Sequence, residues 1–362
     1  MIIYLRPRAP FTKSAPRSDT LFGAIAWAIR LLYGELQLVG LLEDFEAAIA
    51  SQSPPPFTIS SLFPYFEDEG GKIHFLPRPL RPPAAITGLE DRAAYQDFKD
   101  LRRAGFVSQG VFNRIMLGEL DETAIYAELR HPAGGVRLKA GALMTPEEHR
   151  RAGQMARLVI RGEVARNAIN RLTGSTAGDG GQLFYQPVAA VGSGGRHGGR
   201  GGFYFLARPG SAEVKAMMQA ALRFLGDKGF GGDSSIGRGH CAVEFDDGDF
   251  ITAAADGERL VTLSLMHPGK ADVEHFAKHQ HATYARLERR KGFIESAYVE
   301  EARRVWKPTL FMLGEGATFP RDGDRSVYGT LFADDSPREG MAFQARINGL
   351  AYTVAIKGEA AR

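Results

Sequence analysis

A single cysteine, Cys241, is present in 362 residues. This excludes an internal disulfide and any zinc site built on paired cysteines, and it predicts a reducing compartment, the cytoplasm. Long apolar runs are missing too. The most apolar stretch, Leu21 to Tyr33, is interrupted by Arg30 and is shorter than the roughly 20 residues that span a bilayer. It is expected to be a buried helix opened by Ser18 and Asp19, with no membrane association, and no secretory signal is read before it. There is no HExxH, the helical pair of histidines that would hold a catalytic zinc. A large excess of one charge is also lacking, since 45 Lys and Arg against 42 Asp and Glu leave +3. The chain is not a bulk polycation, and any attraction to a polyanion must come from local patches.

What the chain does have is glycine, 43 of its residues, about 12% against a usual 7%. With 44% hydrophobic and 24% charged residues the chain is globular and long enough for two domains. Five of the glycines fall between Gly229 and Gly239, in the stretch KGFGGDSSIGRGH. Glycines let main-chain N–H groups approach a ligand closely, and Ser234, Ser235 and Arg238 add donors suited to phosphate oxygens, so the loop reads as a cradle for a phosphate chain. Two better-known phosphate motifs do not fit. In Gly232–Gly239 the glycine spacing of a Walker A loop is present, but Arg238 stands for the lysine and Gly239 for the Ser or Thr that would hold magnesium. Gly231-Gly232-Asp233-Ser234 lacks the second carboxylate of a GGDD turn, and paired acids are what metal-dependent nucleotide chemistry requires.

Two cationic patches accompany the loop. Met1 to Ser18 carries Arg6, Arg8, Lys13 and Arg17 without an acid, and Arg150 to Arg171 carries six arginines against Glu163 alone; each suits a polyanion or a solvated face. Along the chain, Ile2–Leu5 reads as a strand and Asp19–Tyr33 as a helix. Prolines loosen the pattern over about 51–150, which reads as an insertion with a helix near Ala93–Arg103. Leu158–Val164 and Gln182–Val191 read as strands, the latter with Phe203–Ala207 as its hairpin partner across a tip, Gly192–Gly202, that holds seven glycines. Helix Ala212–Leu225, N-capped by Ser211, the glycine loop and strand Cys241–Phe245 then complete a β-α-β-β-α-β order, the ferredoxin-like arrangement. A second unit starts at Leu260–Met266, with a helical pattern over Asp272–Arg290 and strands at Thr309–Leu313 and Ala342–Ile347.

Seven ordered stretches together resemble a known family: SDTLFGAIAWAIRLLYGE, SLFPYF, FLPRPL, NAINRLTGST, the glycine loop, VTLSLMHP and ERRKGFI. The chain is similar to the RAMP superfamily of CRISPR-associated RNA-binding proteins and, within it, to the crRNA 5′-handle-capping subunit of the type III-A (Csm) interference complex. The long Gly192–Gly202 tip departs from that pattern. The resemblance implies an α+β fold of two ferredoxin-like (RRM-like) domains, 1–250 with the insertion and the glycine-rich loop 228–240, and 251–362. It implies no catalysis, cofactor or metal. It also implies a crRNA 5′ handle, a large palm-domain subunit and backbone RAMP subunits as partners, with target RNA met only indirectly.

The residues expected to meet RNA are Arg17, Ser18, Arg166, Asn167, Arg171, Gly229, Phe230, Gly231, Gly232, Ser234, Ser235, Gly237, Arg238, Gly239, Arg290 and Lys291. Several have two readings. Asn167 and Arg171, four apart, share a helix face toward RNA or solvate a turn. Ser18 with Asp19 and Thr20 caps a helix or, through the free N–H groups there, binds phosphate. Phe230 stacks on a base or anchors the loop. His275, His279 and His281 form a helical metal site or a solvated face. His240, like His197, is a general acid/base for RNA cleavage, as in a metal-independent processing endoribonuclease, or a histidine at a strand edge. Leu38–Leu42 and Ser61–Phe66 are expected to offer apolar groups to a partner subunit or to pack internally.

Overall fold

The computed structural model describes residues 1–82, 91–153, 155–176, 182–191, 199–294, 306–334 and 344–357. Along Ile2–Pro7 the side chains alternate, Ile3 and Leu5 to one face and Ile2 and Tyr4 to the other, and all four are buried. A strand apolar on both faces must lie inside a sheet covered on both sides. The sheet that receives it runs Cys241–Asp246, Ile2–Pro7, Arg200–Pro209, Phe63–Asp68, Gly71–Pro77, Phe106–Ser108, Ala142–Met144 and Arg137–Lys139, with Phe57–Ile59 also on Arg200–Pro209. Every pairing is antiparallel except Phe106–Ser108 with Ala142–Met144.

Helices Ser18–Tyr33 and Ala212–Lys228 pack together over one face. The second is capped by Ser211, whose hydroxyl accepts the Val214 N–H at 3.1 Å. Their Leu21, Ile25, Met218 and Leu222 meet Ile3, Leu5, Phe203 and Phe205 from the sheet. The opposite face, Ile2, Tyr4, Tyr204 and Leu206, packs against Val261, Leu263, Tyr352 and Val354 of the C-terminal part. Each such side chain contributes about 1.5–3 kcal/mol when fully buried, so this shared layer joins the two halves. Among the described residues no helix is long and apolar enough to cross a membrane.

Three expectations are corrected. Gln182–Val191 does not pair with Arg200–Pro209; it pairs over ten residues with Val159–Ala168, and at its other edge with Phe11–Thr12. The strand beside Arg200–Pro209 is Phe63–Asp68. Phe203–Ala207 is buried on both faces whereas Leu183–Tyr185 is exposed, so the first requires a central place and the second an outlying ribbon. It follows that the 51–150 stretch is more than an insertion, since it supplies that central strand. The helical pattern over Asp272–Arg290 also breaks. The helix covers Lys270–Lys278, after which Tyr284 exchanges backbone hydrogen bonds with Thr318 at 2.8 and 2.9 Å and Leu287–Arg290 runs as a strand on Leu310–Leu313. Beyond it, Arg259–Thr262 lies between Thr318–Pro320 and Thr353–Ile356, and the described residues between those two hold a strand pair, Leu331–Asp334 with Ala345–Asn348.

Candidate RNA interface

The glycine loop closes on itself before it offers anything to a ligand. Gly229 and Gly239 have φ of +79° and +70°. A Cβ on Gly229 would sit 2.5 Å from the Arg238 carbonyl oxygen, and one on Gly239 would sit 2.0 Å from that of Phe230. These two glycines let the loop's entry, at the end of helix Ala212–Lys228, touch its exit, where any side chain would collide. Phe230 fastens the loop from inside: it is 4% exposed and meets Phe11 edge to face at 5.4 Å. The stacking reading of Phe230 is thereby replaced by the anchoring one. Ser234–Ile236 forms one 3-10 turn at the tip, where Gly232, Ser235 and Gly237 are exposed.

Beneath the tip lies the three-stranded ribbon of Phe11–Thr12, Gln182–Val191 and Val159–Ala168. Gln186 joins the two, donating from Nε2 to Asp233 Oδ2 at 2.6 Å. The register puts Thr12, Val188, Gln186, Val164, Phe184 and Arg166 on one face. Six buried side-chain N or O atoms among the described residues lack a hydrogen-bond partner, and four belong here: Thr12 Oγ1, Gln186 Oε1, Arg166 Nε and Arg238 Nε. Arg238, expected at the surface, is only 6% exposed. Buried polar atoms are normally satisfied, so these four side chains are the candidates here to meet the polar groups of a ligand. Two guanidinium donors and the Thr12 hydroxyl beside the Gln186 carbonyl acceptor suit an oxyanion with an attached hydroxyl.

Sequence reasoning had overlooked Thr12 and Gln186. Gln186 is the one amide inside the otherwise largely apolar strand that opens with Gln182, which was its available signal. Around the seam, Lys13, with φ of +65°, donates its N–H to the Pro187 carbonyl at 2.8 Å, and its side chain is exposed. Asn167 and Arg171 do not share a helix face. Asn167 is on the strand and Arg171 in the turn stabilised by Asn170, whose Oδ1 accepts the Leu172 N–H at 2.9 Å. Both are exposed.

The N-terminal site residues are committed elsewhere. Ser18 is fully buried; its hydroxyl accepts the Leu265 N–H at 3.0 Å and its own N–H donates to Ser61 Oγ at 3.0 Å. Arg17 binds Glu315, with Nε donating at 2.8 Å, and Glu288 at 3.2 Å. Burial opposes the Arg17 charge, but Glu315 and then Glu288 outweigh it and hold its pKa above the usual arginine value. Arg290 clasps Asp19 through Nε at 2.9 Å and Nη2 at 2.8 Å. In the same way Arg6 binds Glu67 and Glu244. Ser18, Arg17 and Arg290 therefore join the two halves, engaged by protein partners. Lys291 stays exposed.

The histidines are placed as follows. His275 donates from Nε2 to the Pro320 carbonyl at 2.9 Å, with Asp322 3.7 Å from Nδ1. Among the described residues no group of three His, Cys, Asp or Glu side chains is arranged to hold a metal. The His240 ring lies against Gly229, and its carbonyl accepts the Arg8 N–H at 2.8 Å. His197 lies outside the described residues, with most of the Gly192–Gly202 tip. Of the apolar groups expected at a partner surface, Ser61–Phe66 are buried, and of Leu38–Leu42 on helix Glu35–Ser51 Leu41 is buried, Leu38 and Leu42 are half-buried and Val39 is exposed.

No family model matches the chain. A CRISPR system Cms protein Csm4 of Thermococcus onnurineus (strain NA1) is 30% identical over 275 residues, covering 75% of this chain and 76% of that protein. The chain belongs to the Csm4 family. It is thus a RAMP-type CRISPR subunit of the type III-A (Csm) class. Among solved structures, a chain of the Csm3–Csm4 subcomplex in the type III-A CRISPR–Cas interference complex aligns with a TM-score of 0.60 at 18% identity, over 99% of each chain. A chain of a Csm1–Csm4 cassette in complex with cA4 aligns with a TM-score of 0.58 at 22% identity, over 98% of this chain and 97% of that one. At these identities the likeness speaks to the fold, α+β around a large mixed sheet.

Proposed function

We propose that this Csm4-family chain is a non-catalytic RNA-binding subunit that takes the repeat-derived 5′ handle of crRNA in the seam between glycine loop and ribbon. The observation that carries this reading is the set of orphaned polar atoms on Thr12, Gln186, Arg166 and Arg238. A buried guanidinium nitrogen without an acceptor loses its hydration uncompensated, and a phosphate with its adjoining 2′-hydroxyl supplies acceptors and a donor at once. Gly231, Gly232, Ser234 and Ser235 give main-chain and hydroxyl donors at the tip, where the Gly237 N–H is spent on the Ser234 carbonyl at 3.0 Å, and Asn167, Arg171 and Lys13 extend the cationic track. The order Cys241–Asp246, Ile2–Pro7, Arg200–Pro209, Phe63–Asp68 with two helices on one face supports a ferredoxin-like unit in 1–250. The second unit, 251–362, is a ferredoxin-like variant with a strand pair in place of one helix.

The subunit further links a large palm-domain subunit to the backbone RAMP subunits, with target RNA met only through them. Relatives crystallised as Csm1–Csm4 and Csm3–Csm4 assemblies support that part. The test is RNA affinity across a salt series for Arg238→Ala combined with Arg171→Ala. Each lost phosphate contact should weaken binding and reduce the log–log salt slope by about 0.7. Unchanged affinity and slope would move the site elsewhere.

A further inference from the structure

The outer face of Leu287–Arg290 and its continuation is distinct from the loop. Side chains alternate along extended chain. Leu287, Arg289, Lys291 and Phe293 are all exposed, while Glu288 and Arg290 turn inward to Arg17 and Asp19. Across the strand pair Phe311 stands opposite Arg289, and Trp306 is bridged to Phe293. These rings are unusually open, Phe311 at 58%, Trp306 at 50% and Phe293 at 45%. The Phe293 and Trp306 rings lie 3.7 Å apart between centroids, tilted by 31°, with Lys291 Nζ 5.0 Å from the Trp306 centroid. Arg289 makes no ion pair among the described residues, and the nearby carboxylates of Glu288 and Asp19 are held on the inner side.

We propose that this face is a stacking platform for an unpaired base of single-stranded RNA, with Trp306 as the stacking plane and Arg289 and Lys291 meeting the flanking phosphates. The proposal rests on the RNA-binding reading above but uses a separate surface. Aromatic planes accept any base through its π-face, and cations interleaved with open rings, with no carboxylate on that face among the described residues, match a polyanion that carries such planes. Phe293 packs against Trp306 and holds its plane in place before RNA arrives, which reduces the ordering lost on binding.

The test uses the full chain and a single-stranded RNA of repeat sequence, intact or with one abasic position walked along it. Trp306→Ala should weaken binding of the intact RNA by about 5- to 150-fold, and Trp306→Phe should retain most of the affinity. One abasic position should weaken the native chain comparably yet leave Trp306→Ala unmoved. Because the chain has two tryptophans, Trp27→Phe leaves Trp306 as sole reporter, and RNA should quench its emission. That readout decides the matter if Trp306→Ala does not fold. Affinity that falls with Arg238→Ala but not with Trp306→Ala, and no quenching, would overturn the platform and leave the loop reading standing. Absence of any RNA binding by the native chain would overturn both. Loss of a protein subunit from Trp306→Ala with RNA affinity intact would identify the face as a protein interface and overturn the proposal.

Discussion

His74 shows how completely a polar side chain can be absorbed into this sheet. It is 6% exposed and stacks on Phe250 at 3.9 Å with the rings 5° apart. Its Nδ1 donates to Gln109 Oε1, so its Nε2 accepts the Tyr4 hydroxyl at 2.8 Å, which fixes the neutral ring. Burial, with Lys72 nearby and against the opposing Gln109 bond, pushes its pKa down to about 4. An unfolded histidine titrates near 6.5, so stability is fully present above that pH and is lost as pH falls from about 6.5 through about 4. Over that window the native chain should lose about 1 kcal/mol per pH unit that His74→Gln does not lose. Urea midpoints at pH 7, 6 and 5 would show it, and parallel slopes for the two chains would disprove it.

The loop gains its shape from contacts within itself, and this separates two kinds of glycine. Gly239 and Gly237 both have positive φ, +70° and +87°, but a methyl on Gly239 strikes the Phe230 carbonyl while one on Gly237 meets open space. Gly237→Ala should cost only the left-handed backbone strain, about 1 kcal/mol. Gly239→Ala should cost more, in the range of about 1–3 kcal/mol, and should also loosen the Phe230 anchor. Denaturation midpoints measure the difference, and equal losses would mean that the loop's two arms are not in contact. The ribbon behaves differently from the loop. Leu172 at 96% and Tyr185 at 62% exposure cover no core, so its outer end is held by its backbone ladder and the Gln186–Asp233 bond, while Phe11, Val159 and Val191 tie its inner end to the core.

The two halves of the chain are not separable bodies. Ile2, Tyr4, Tyr204 and Leu206 are covered by Val261, Leu263, Tyr352 and Val354, and Arg17 and Asp19 are paired with Glu315 and Arg290 across the same boundary. Uncovering several large side chains at about 1.5–3 kcal/mol each is comparable with a usual net stability of 5–15 kcal/mol. A fragment ending at residue 250 should therefore melt without a sharp transition, whereas the full chain unfolds in one. Circular dichroism melting distinguishes the outcomes, and a cooperative fragment would show that the halves fold independently.

Local pattern was enough to find helices Ser18–Tyr33 and Ala212–Lys228, strands Ile2–Pro7 and Cys241–Asp246, and the glycine loop, because helical and strand periodicities and caps act within a few residues. Family membership was legible for a related reason, since ordered motifs survive where pairings cannot be seen. Strand neighbours were not legible: Phe63–Asp68, apolar on both faces, carries no mark of lying beside Arg200–Pro209 rather than at an edge. Nor did the charges of Arg17 and Arg290 reveal their roles. Glu315 is 298 positions from Arg17 and Asp19 is 271 from Arg290; only folding brings them within hydrogen-bond reach and converts expected RNA contacts into internal ties. Arg238 moved the other way, from an apparent surface donor to a buried one, because the seam it enters is formed by strands remote in the chain. Short-range sterics and periodicity act before the chain is closed, while pairing, burial and the partners of charges depend on which distant segments compete for the same surface.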